Sequence, residues 1–532
     1  MSRRAIVIRQ AFAPLVCLLA WALAWTWPSL AHAAEVPVAN VAELEAAIAT
    51  AAPGDEIVLA PGEYLVPNNL NCVAVGSADQ PIIVRAETLG EVQIKFDTLE
   101  GFHIQGAHWE LSKLDIEGVC ADDSDCEHAF HITGDADGTW IHHNRVHEFN
   151  AHIKANGTAT GPQGERVWPD DVIVEYNEFF NAAVRQTSNP VTLIDVVGGR
   201  RWEVRGNYIH DFAKGMGNTT SYAAFLKGNS RDGLFERNLV VCEALHTGQV
   251  RLGLSFGGGG SSPDLICEDQ TCTPEHQNGI MRNNIIAKCP SDVGIYVNEG
   301  AGSLIYNNTL YQTTGIDMRF ESTTGEVRNN LMMGQIRNRD GATANFANNL
   351  QMASQADFQA WFGDPDALDF SLVDGAAIVD QGETLAEVID DYCTNIRDDD
   401  AHDLGALEYD DDGTCDTNVP FEAGDGDGDP GGGDGDPGDG DGDAGDGDSG
   451  DGDPGDGDGD PDDGGDSDSD SDSDDETGET GETGGDAGLE DSGDGGCGCT
   501  TQNMGQHMGQ RTGGLGWTGL LGLAVLLRRR RD

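Results

Sequence analysis

Eight short segments of the chain repeat one pattern: an apolar position, two or three variable ones, an asparagine, then another apolar residue. The asparagines are Asn144, Asn177, Asn207, Asn238, Asn284, Asn308, Asn330 and Asn349, spaced 19 to 46 residues apart. A repeat of this length describes a solenoid, in which each unit buries its apolar face only against its neighbours. The segments are rich in Val, Ile and Phe and bounded by Gly, so they read as strands rather than helices. An asparagine at one position per coil can stack on its neighbours as an amide ladder. The expected fold class is all-β, a right-handed parallel β-helix. Such a stack offers a long shallow groove suited to a polymer.

The 532 residues divide by composition. Residues 1–33 read as a signal peptide: Arg3, Arg4 and Arg9 precede an apolar stretch, and Ala31-His32-Ala33 is a small-x-small cleavage site. Residues 34–421 carry the apolar periodicity. Residues 422–496 hold 31 acidic residues and no Lys or Arg, so self-repulsion and the lack of apolar side chains predict a disordered acidic linker. The body is acidic too, 61 Asp and Glu against 22 Lys and Arg, which argues against nucleic acid as a partner.

Twelve cysteines fit an oxidising compartment. The local pairs suggested by spacing are Cys120–Cys126, Cys267–Cys272, Cys242–Cys289 and Cys393–Cys415, leaving Cys72. At the N-terminal end, Asn40 and Glu43 resemble a capping box, and Leu44 and Ile48 share a face, so Val41–Ala51 is expected to be a helix lidding the first coil. Early strands are expected at Glu56–Ala60, Ile82–Ala86 and Val92–Phe96, and Ala367–Tyr409 is expected to close the last coil.

Strand alternation assigns an outward face in the coils. Phe130 and Ile132 inward place His131 outward, and Ile153 does the same for Lys154. Ile194 and Val196 expose Asp195; Leu226 exposes Lys227; Leu254 exposes Ser255; Ile295 and Val297 expose Tyr296; Ile316 and Met318 expose Asp317. The expected column is therefore His131, Lys154, Asp195, Lys227, Ser255, Tyr296 and Asp317, with Arg319 and Asn298 one pair further along. A lysine among cations loses proton affinity and can act as a base, and a second cation can hold the enolate formed beside a uronate carboxyl group. Lys227, with Lys154 or Arg319, supplies these types as candidate catalytic residues. His131, Asp195, Ser255, Tyr296, Asn298 and Asp317 are the candidate substrate-binding residues. Solvated lysines paired with Asp195 are the plainer account of the same pattern. His142, His143 and His147 read as surface or loop residues. Asp135 and Asp137 within Gly134–Gly138 offer carboxylates to Ca2+, as does the linker; an ordinary turn and a solvated spacer account for them as well. The glycines 257–260 lack the following helix that a phosphate loop needs.

Pro53-Gly54-Asp55, Pro61-Gly62-Glu63-Tyr64 and Pro81–Ala86 resemble the opening of chondroitinase-B-type polysaccharide lyases. The resemblance implies the pectin-lyase-like fold and a lysine base in a strand just before an Asn-containing coil, a placement that Lys227 matches ahead of Asn238. Where it implies acidic calcium ligands, this chain has Tyr222, Ala223 and Ala224; where it implies an arginine one coil later, Leu254-Ser255-Phe256-Gly257 stands. At the far end, Cys497-Gly498-Cys499, an apolar run from Gly513 to Leu527 and Arg528–Arg531 resemble the MYXO-CTERM sorting tail. That resemblance makes 497–532 a sorting segment and implies export, handling by sorting and processing machinery, and retention at the outer cell surface; a plain membrane anchor would give almost the same topology.

Together these readings predict a secreted, surface-anchored protein that cleaves an acidic polysaccharide by β-elimination. The alternatives are a non-catalytic glycan-binding or adhesive protein on the same fold, and a glycoside hydrolase. The last needs two carboxylates about 5–10 Å apart; Asp195 and Asp317 are expected several coils apart, whereas Glu299 and Glu321 could pair on neighbouring coils.

Overall fold

In the computed structural model each coil contributes one short strand to each of three parallel sheets. Residues 35–159, 161, 165–259, 263–373, 375–397 and 401–409 are described; the expected signal peptide, linker and sorting tail lie outside them. A typical coil runs Trp140–His142, Arg145–His147, Ala151–Asn156, and the next runs Ile173–Glu175, Glu178–Phe180, Thr192–Val197. Repetition builds a first sheet of twelve strands and a second and third of ten each. The fold is a right-handed parallel β-helix, as the repeat predicted.

The inward positions stack in register. Ile141, Val174, Val204, Phe235, Met281, Ile305 and Val327 form one such row in the first sheet, and all are fully buried. Phe102, Phe130, Ile153 and Ile194 begin the equivalent row of the third sheet, with the Phe102 and Phe130 rings stacked at 5.6 Å. Burying a side chain of this size contributes roughly 1.5–3 kcal/mol, so a one-residue slip that turned a row outward would be strongly opposed.

The corner between the first and second sheets has only two residues. Its first residue adopts a left-handed backbone: Lys113, His143, Tyr176, Arg237, Asn283, Asn307, Asn329 and Asn348 have φ between 48° and 58°. That conformation costs a residue with a Cβ roughly 1–2 kcal/mol. From Asn144 onward its second residue is a ladder asparagine; after Lys113 it is Leu114, whose N–H donates to Asn144 Oδ1 at 3.0 Å. Asn238 shows the offsetting bonds. Its Oδ1 accepts from Asn207 N at 3.1 Å and Asn207 Nδ2 at 3.0 Å, while its own Nδ2 donates to Asn284 Oδ1 at 2.9 Å and Val204 O at 2.8 Å. The same arrangement links Asn144 through to Asn349.

Both ends differ in detail from the sequence expectation. Helix Val41–Thr50 lids the first coil with Leu44, Ala47 and Ile48 buried and Asn40 accepting from Glu43 N. An unexpected strand, Glu35–Val38, precedes it and pairs with Glu56–Leu59. At the other end, the segment from Ala353 to Leu407 does not simply close the last coil. It folds back over the outside of the second sheet, packing Phe358, Phe362, Phe370 and Ile378 against Leu239, Val241, Ile285 and Tyr311. The physical reason is that these strands are apolar on both faces. Disulfides join Cys120–Cys126, Cys242–Cys289 and Cys267–Cys272, and Cys72 is free and buried. Cys393 is disulfide-bonded; Cys415 lies outside the described residues.

Replacing Asn238 with Leu should orphan Asn207 N and take one bond each from Asn207 Nδ2, Val204 O and Asn284 Oδ1 inside the stack. An orphaned group costs about 1–3 kcal/mol, so denaturant unfolding should show at least that loss. A variant as stable as the parent would show that the ladder does not hold the corner.

Candidate functional site

The outer face of the third sheet carries the candidate residues. Its register defines one column as His103, His131, Lys154, Asp195, Phe225, Ser255, Tyr296, Asp317 and Arg337. Two residues further along each strand runs a second column, containing Thr133, Asn156, Val197 and Lys227 and, in later coils, Asn298, Arg319 and Arg339.

This register corrects the expected placement of Lys227. It faces outward, but in the column of Asn298 and Arg319; Phe225 takes the place assigned to it. The strand Thr220–Lys227 has two outward residues at its end, and alternation alone does not choose between them. Lys227 Nζ donates to Gly259 O at 3.1 Å and lies 4.6 Å from the centre of the Phe225 ring. Two coils separate it from Lys154. Three separate it from Arg319, about 14 Å at ~4.8 Å per coil, so those two cations do not converge.

Partners of the other candidates divide them further. Lys154 Nζ lies 2.8 Å from Asp195 Oδ1. Arg319 Nε donates to Asp340 Oδ2 at 2.6 Å, and Arg319 Nη1 and Asn298 Nδ2 both donate to Tyr296 Oη, at 3.2 and 3.3 Å. Burial pushes the Tyr296 phenol above its ordinary value, although Arg319 opposes the shift. Ser255 and Asp317 are not accessible binding residues. Ser255 is fully buried with its hydroxyl donating to Gly257 O, and Asp317 is 2 % exposed. Asp317 is clamped by Arg337 and Arg339, each at 2.6 Å. Asp195 and Asp317 are four coils apart, about 19 Å, too far for a glycosidase pair.

At the N-terminal end of the face the structure adds residues that the sequence reading omitted. Glu100 Oε1 lies 2.9 Å from His131 Nδ1, and Glu100 Oε2 lies 3.6 Å from His103 Nδ1. The two imidazoles stack at 4.9 Å. Burial favours the neutral Glu100 carboxyl, but the hydrogen bond and charge of His131 outweigh it and hold the group below its ordinary value. Burial and the neighbouring His131 lower His103. Glu127, beside Lys154 and Asn189, is raised by burial. Phe102 and Ile104 point inward, so alternation would have exposed His103 had the column been started one coil earlier.

Beyond the end of the Lys227 strand lies a concavity of about 250 Å³ bordered by Trp168, Asp137, Asp170 and Arg200. A Cβ on Gly157 or Gly198 would come within 2.5 or 2.0 Å of the Trp168 indole, so the ring sits directly on backbone. The Asp137 carboxylate accepts from Asp170 N on the next coil at 2.8 Å.

A cavity of about 450 Å³ opens on the second sheet. His147, Phe180 and His210 stack there at 5.1 and 4.9 Å, so their faces cover one another. Its charged groups are mutually engaged: Arg145 with Glu178 at 2.7 Å and His147 with Asp115 at 3.2 Å. His210 is bound by Asp211 at 2.7 Å and Glu178 at 3.4 Å. We therefore place the candidate site on the third sheet.

Residues 38–154 match the family model described as Chondroitinase B. That stretch ends at Lys154 and includes Glu100, His103 and His131, but not Lys227 or Arg319. Among solved structures, the chain is similar to pectate lyase Pel9A (14 % identity, 69 % of this chain and 90 % of that one, TM-score 0.43). It is also similar to an alginate lyase from Paenibacillus sp. str. FPU-7 (15 %, 60 % and 96 %, TM-score 0.33) and to a rhamnogalacturonan lyase (14 %, 60 % and 86 %, TM-score 0.37). No curated protein matches the chain in sequence.

Burial lowers His210, but its bonds to Asp211 and Glu178 outweigh that and raise it above 6.5. Its charged form therefore stabilises the fold fully below the ordinary value, and the contribution is lost as pH rises through the raised one. The melting temperature of the parent minus that of His210→Asn should shrink as pH rises from about 6.5. A difference constant with pH would show that the pair carries no charge.

Proposed function

We propose that this chain cleaves an acidic polysaccharide by β-elimination on the third sheet. The observation that carries this reading is the gathering of Lys154, Lys227 and Arg319 on one outer face of a β-helix whose body has a large excess of carboxylates. The Chondroitinase B match over 38–154 supports the same class of reaction.

In this reading Lys227 is the base. It takes the proton from the carbon beside the uronate carboxyl group; that electron pair forms a C=C bond as the glycosidic C–O bond one carbon further on breaks. The leaving oxygen takes up a proton, from Lys227 or from water. A sugar lying over Lys227, whose ammonium already rests on the buried Phe225 ring, would desolvate it and lower its proton affinity, as a base needs. Lys154, two coils away, would neutralise the carboxylate on the side where charge develops; to do so it must share itself with Asp195. Arg319 is too distant to assist this step and would hold a further anionic sugar along the polymer.

A second reading, glycan binding without turnover, is favoured by the ion pairs Lys154–Asp195 and Arg319–Asp340, which already engage two of these cations with carboxylates. Incubation with a panel of uronic-acid polymers separates the two. A lyase generates the absorbance of unsaturated ends, Lys227→Ala abolishes it, and Lys154→Ala lowers the rate ~10²–10³-fold, the scale for one preorganised electrostatic group. A binder gives no product, and the same substitutions weaken salt-sensitive glycan retention. Wild-type behaviour of the Lys154/Lys227 double variant in both assays would remove this face from consideration.

We further propose that residues 1–33 export the chain and that 497–532 retain it at the cell surface. The signal-like start and the Cys-Gly-Cys, apolar and arginine sequence support this. Deleting 497–532 should release the protein into the medium; unchanged localisation would refute the sorting role.

A further inference from the structure

We propose that Glu100, His103 and His131 form a binding site for a divalent transition metal of the zinc type. Among the described residues this is the group of His, Cys, Asp and Glu side chains whose donor atoms converge, all within 4.8 Å of one another. The ligand set is two imidazoles and one carboxylate, which suits zinc and neighbouring ions rather than Ca2+, whose ligands are oxygens.

The ring nitrogens are already sorted for this task. His131 Nε2 faces Asn156 Oδ1 at 2.8 Å, and Asn156 is oriented by its Nδ2, which donates to Gly157 O at 3.3 Å. His103 Nε2 faces Thr133 Oγ1 at 3.2 Å. Each Nε2–H thus has an oxygen acceptor outside the cluster; His131 Nδ1 turns toward Glu100, and His103 Nδ1 lies beside the same carboxylate while accepting from Gln105 Nε2 at 3.3 Å. An outer partner that fixes the tautomer in this way is the usual support of a metal-bound histidine.

His131 supplies a second observation. Both of its nitrogens face oxygen acceptors, Asn156 Oδ1 on one side and the Glu100 carboxylate at 2.9 Å on the other. A neutral imidazole has one N–H and can satisfy only one of them. A second positive centre is required at Nδ1, either a proton or a metal ion. His103 Nδ1 lies 3.6 Å from the same carboxylate and accepts from Gln105 Nε2, a bond it would exchange for the metal.

Donors of a tetrahedral ion lie about 3.4 Å apart at bond lengths of ~2.1 Å. The 2.9 and 3.6 Å separations run to Glu100 Oε1 and Oε2 respectively, and one ligand atom from each residue lies within 4.8 Å of the others, so the side chains must draw together to hold a tetrahedral ion. The side chains remain 15–23 % exposed, so an ion can enter, and a coordination position is left facing the groove beside Lys154. The site is distinct in place and in ligand type from the oxygen-ligand position before Lys227, where Tyr222, Ala223 and Ala224 stand. Metal binding is independent of whether the chain is a lyase.

The test uses the full chain, stripped with chelator, and Zn2+ or Co2+ alone as probe. One tight site per chain should stand out above the weak background of the acidic stretch in a competition titration against a chromogenic chelator. Co2+ should show the visible absorption of a low-symmetry nitrogen-oxygen site. His103→Ala/His131→Ala should remove that site; His142→Ala/His143→Ala, on the following coil and at the first sheet, should leave it. Should the first double variant fail to fold, Asn156→Ala, which touches only the outer partner, should weaken Zn2+ binding 10–100-fold. Absence of a stoichiometric site in the parent, its survival in a folded His103/His131 variant, or unchanged affinity in Asn156→Ala would each overturn the proposal.

Discussion

Everything else in this molecule depends on the buried asparagine ladder. It lets a two-residue corner, with its first residue in a left-handed conformation, recur from Asn144 to Asn349 without loss of register. Because that corner has constant length, the first and second sheets advance together. All variation in coil length is forced into the other two corners. Both of these border the third sheet, which therefore receives the long insertions, including 157–172, 181–191 and 257–275. Loops on a rigid scaffold are where binding and chemistry collect. The functional face thus follows from which corner the asparagines pin.

The electrostatics of that face follow from the acidity of the body. Cations on so acidic a chain are drawn to nearby carboxylates, and the pairs Lys154–Asp195, Arg319–Asp340 and Arg337/Arg339–Asp317 result. Partly exposed pairs of this kind contribute little to stability, about 0–1 kcal/mol. Their value lies elsewhere. They hold long side chains in place, and under the proposed function an anionic glycan would replace the internal carboxylate. Asp317, buried under two arginines, is the exception and acts as a fixed strut.

What was legible in the sequence was whatever depends on a single coil. The alternation of Phe130-His131-Ile132 or Ile194-Asp195-Val196 decides inside from outside, because burying an apolar side chain outweighs other local preferences. The spacing of the asparagines showed the repeat. What was not legible depends on how one coil meets the next. Phe225 and Lys227 both point outward, and only pairing with Asp195 and Val197 decides which joins which column. Glu100 and His103 sit on a strand with the same alternation, but in a coil that precedes the first asparagine, so the repeat did not draw attention to them. The covering segment from Ala353 to Leu407 left a trace that was readable: Leu239-Val240-Val241 and Ile285-Ile286-Ala287 are apolar without alternation, the pattern of strands buried on both sides.

The covering of the second sheet also explains why the third stays open. A β-helix has three outer faces, and an apolar one must be paired or it becomes an aggregation surface. The chain covers the apolar outer rows of its second sheet from within, using Phe358, Phe362 and Phe370. The third sheet needs no cover, because its outward column is made of imidazole, ammonium, carboxylate, phenol and guanidinium groups. Phe225 interrupts that column midway and is itself capped by the Lys227 ammonium. It divides the face into an imidazole-carboxylate half around Glu100, His103, His131 and Lys154, and a tyrosine-arginine half around Tyr296, Asn298 and Arg319. From His103 to Asp317 the column runs seven coils, about 34 Å. A polymer laid along it would meet the two kinds of chemistry in sequence, with the buried Phe225 ring and the Lys227 ammonium over it between them.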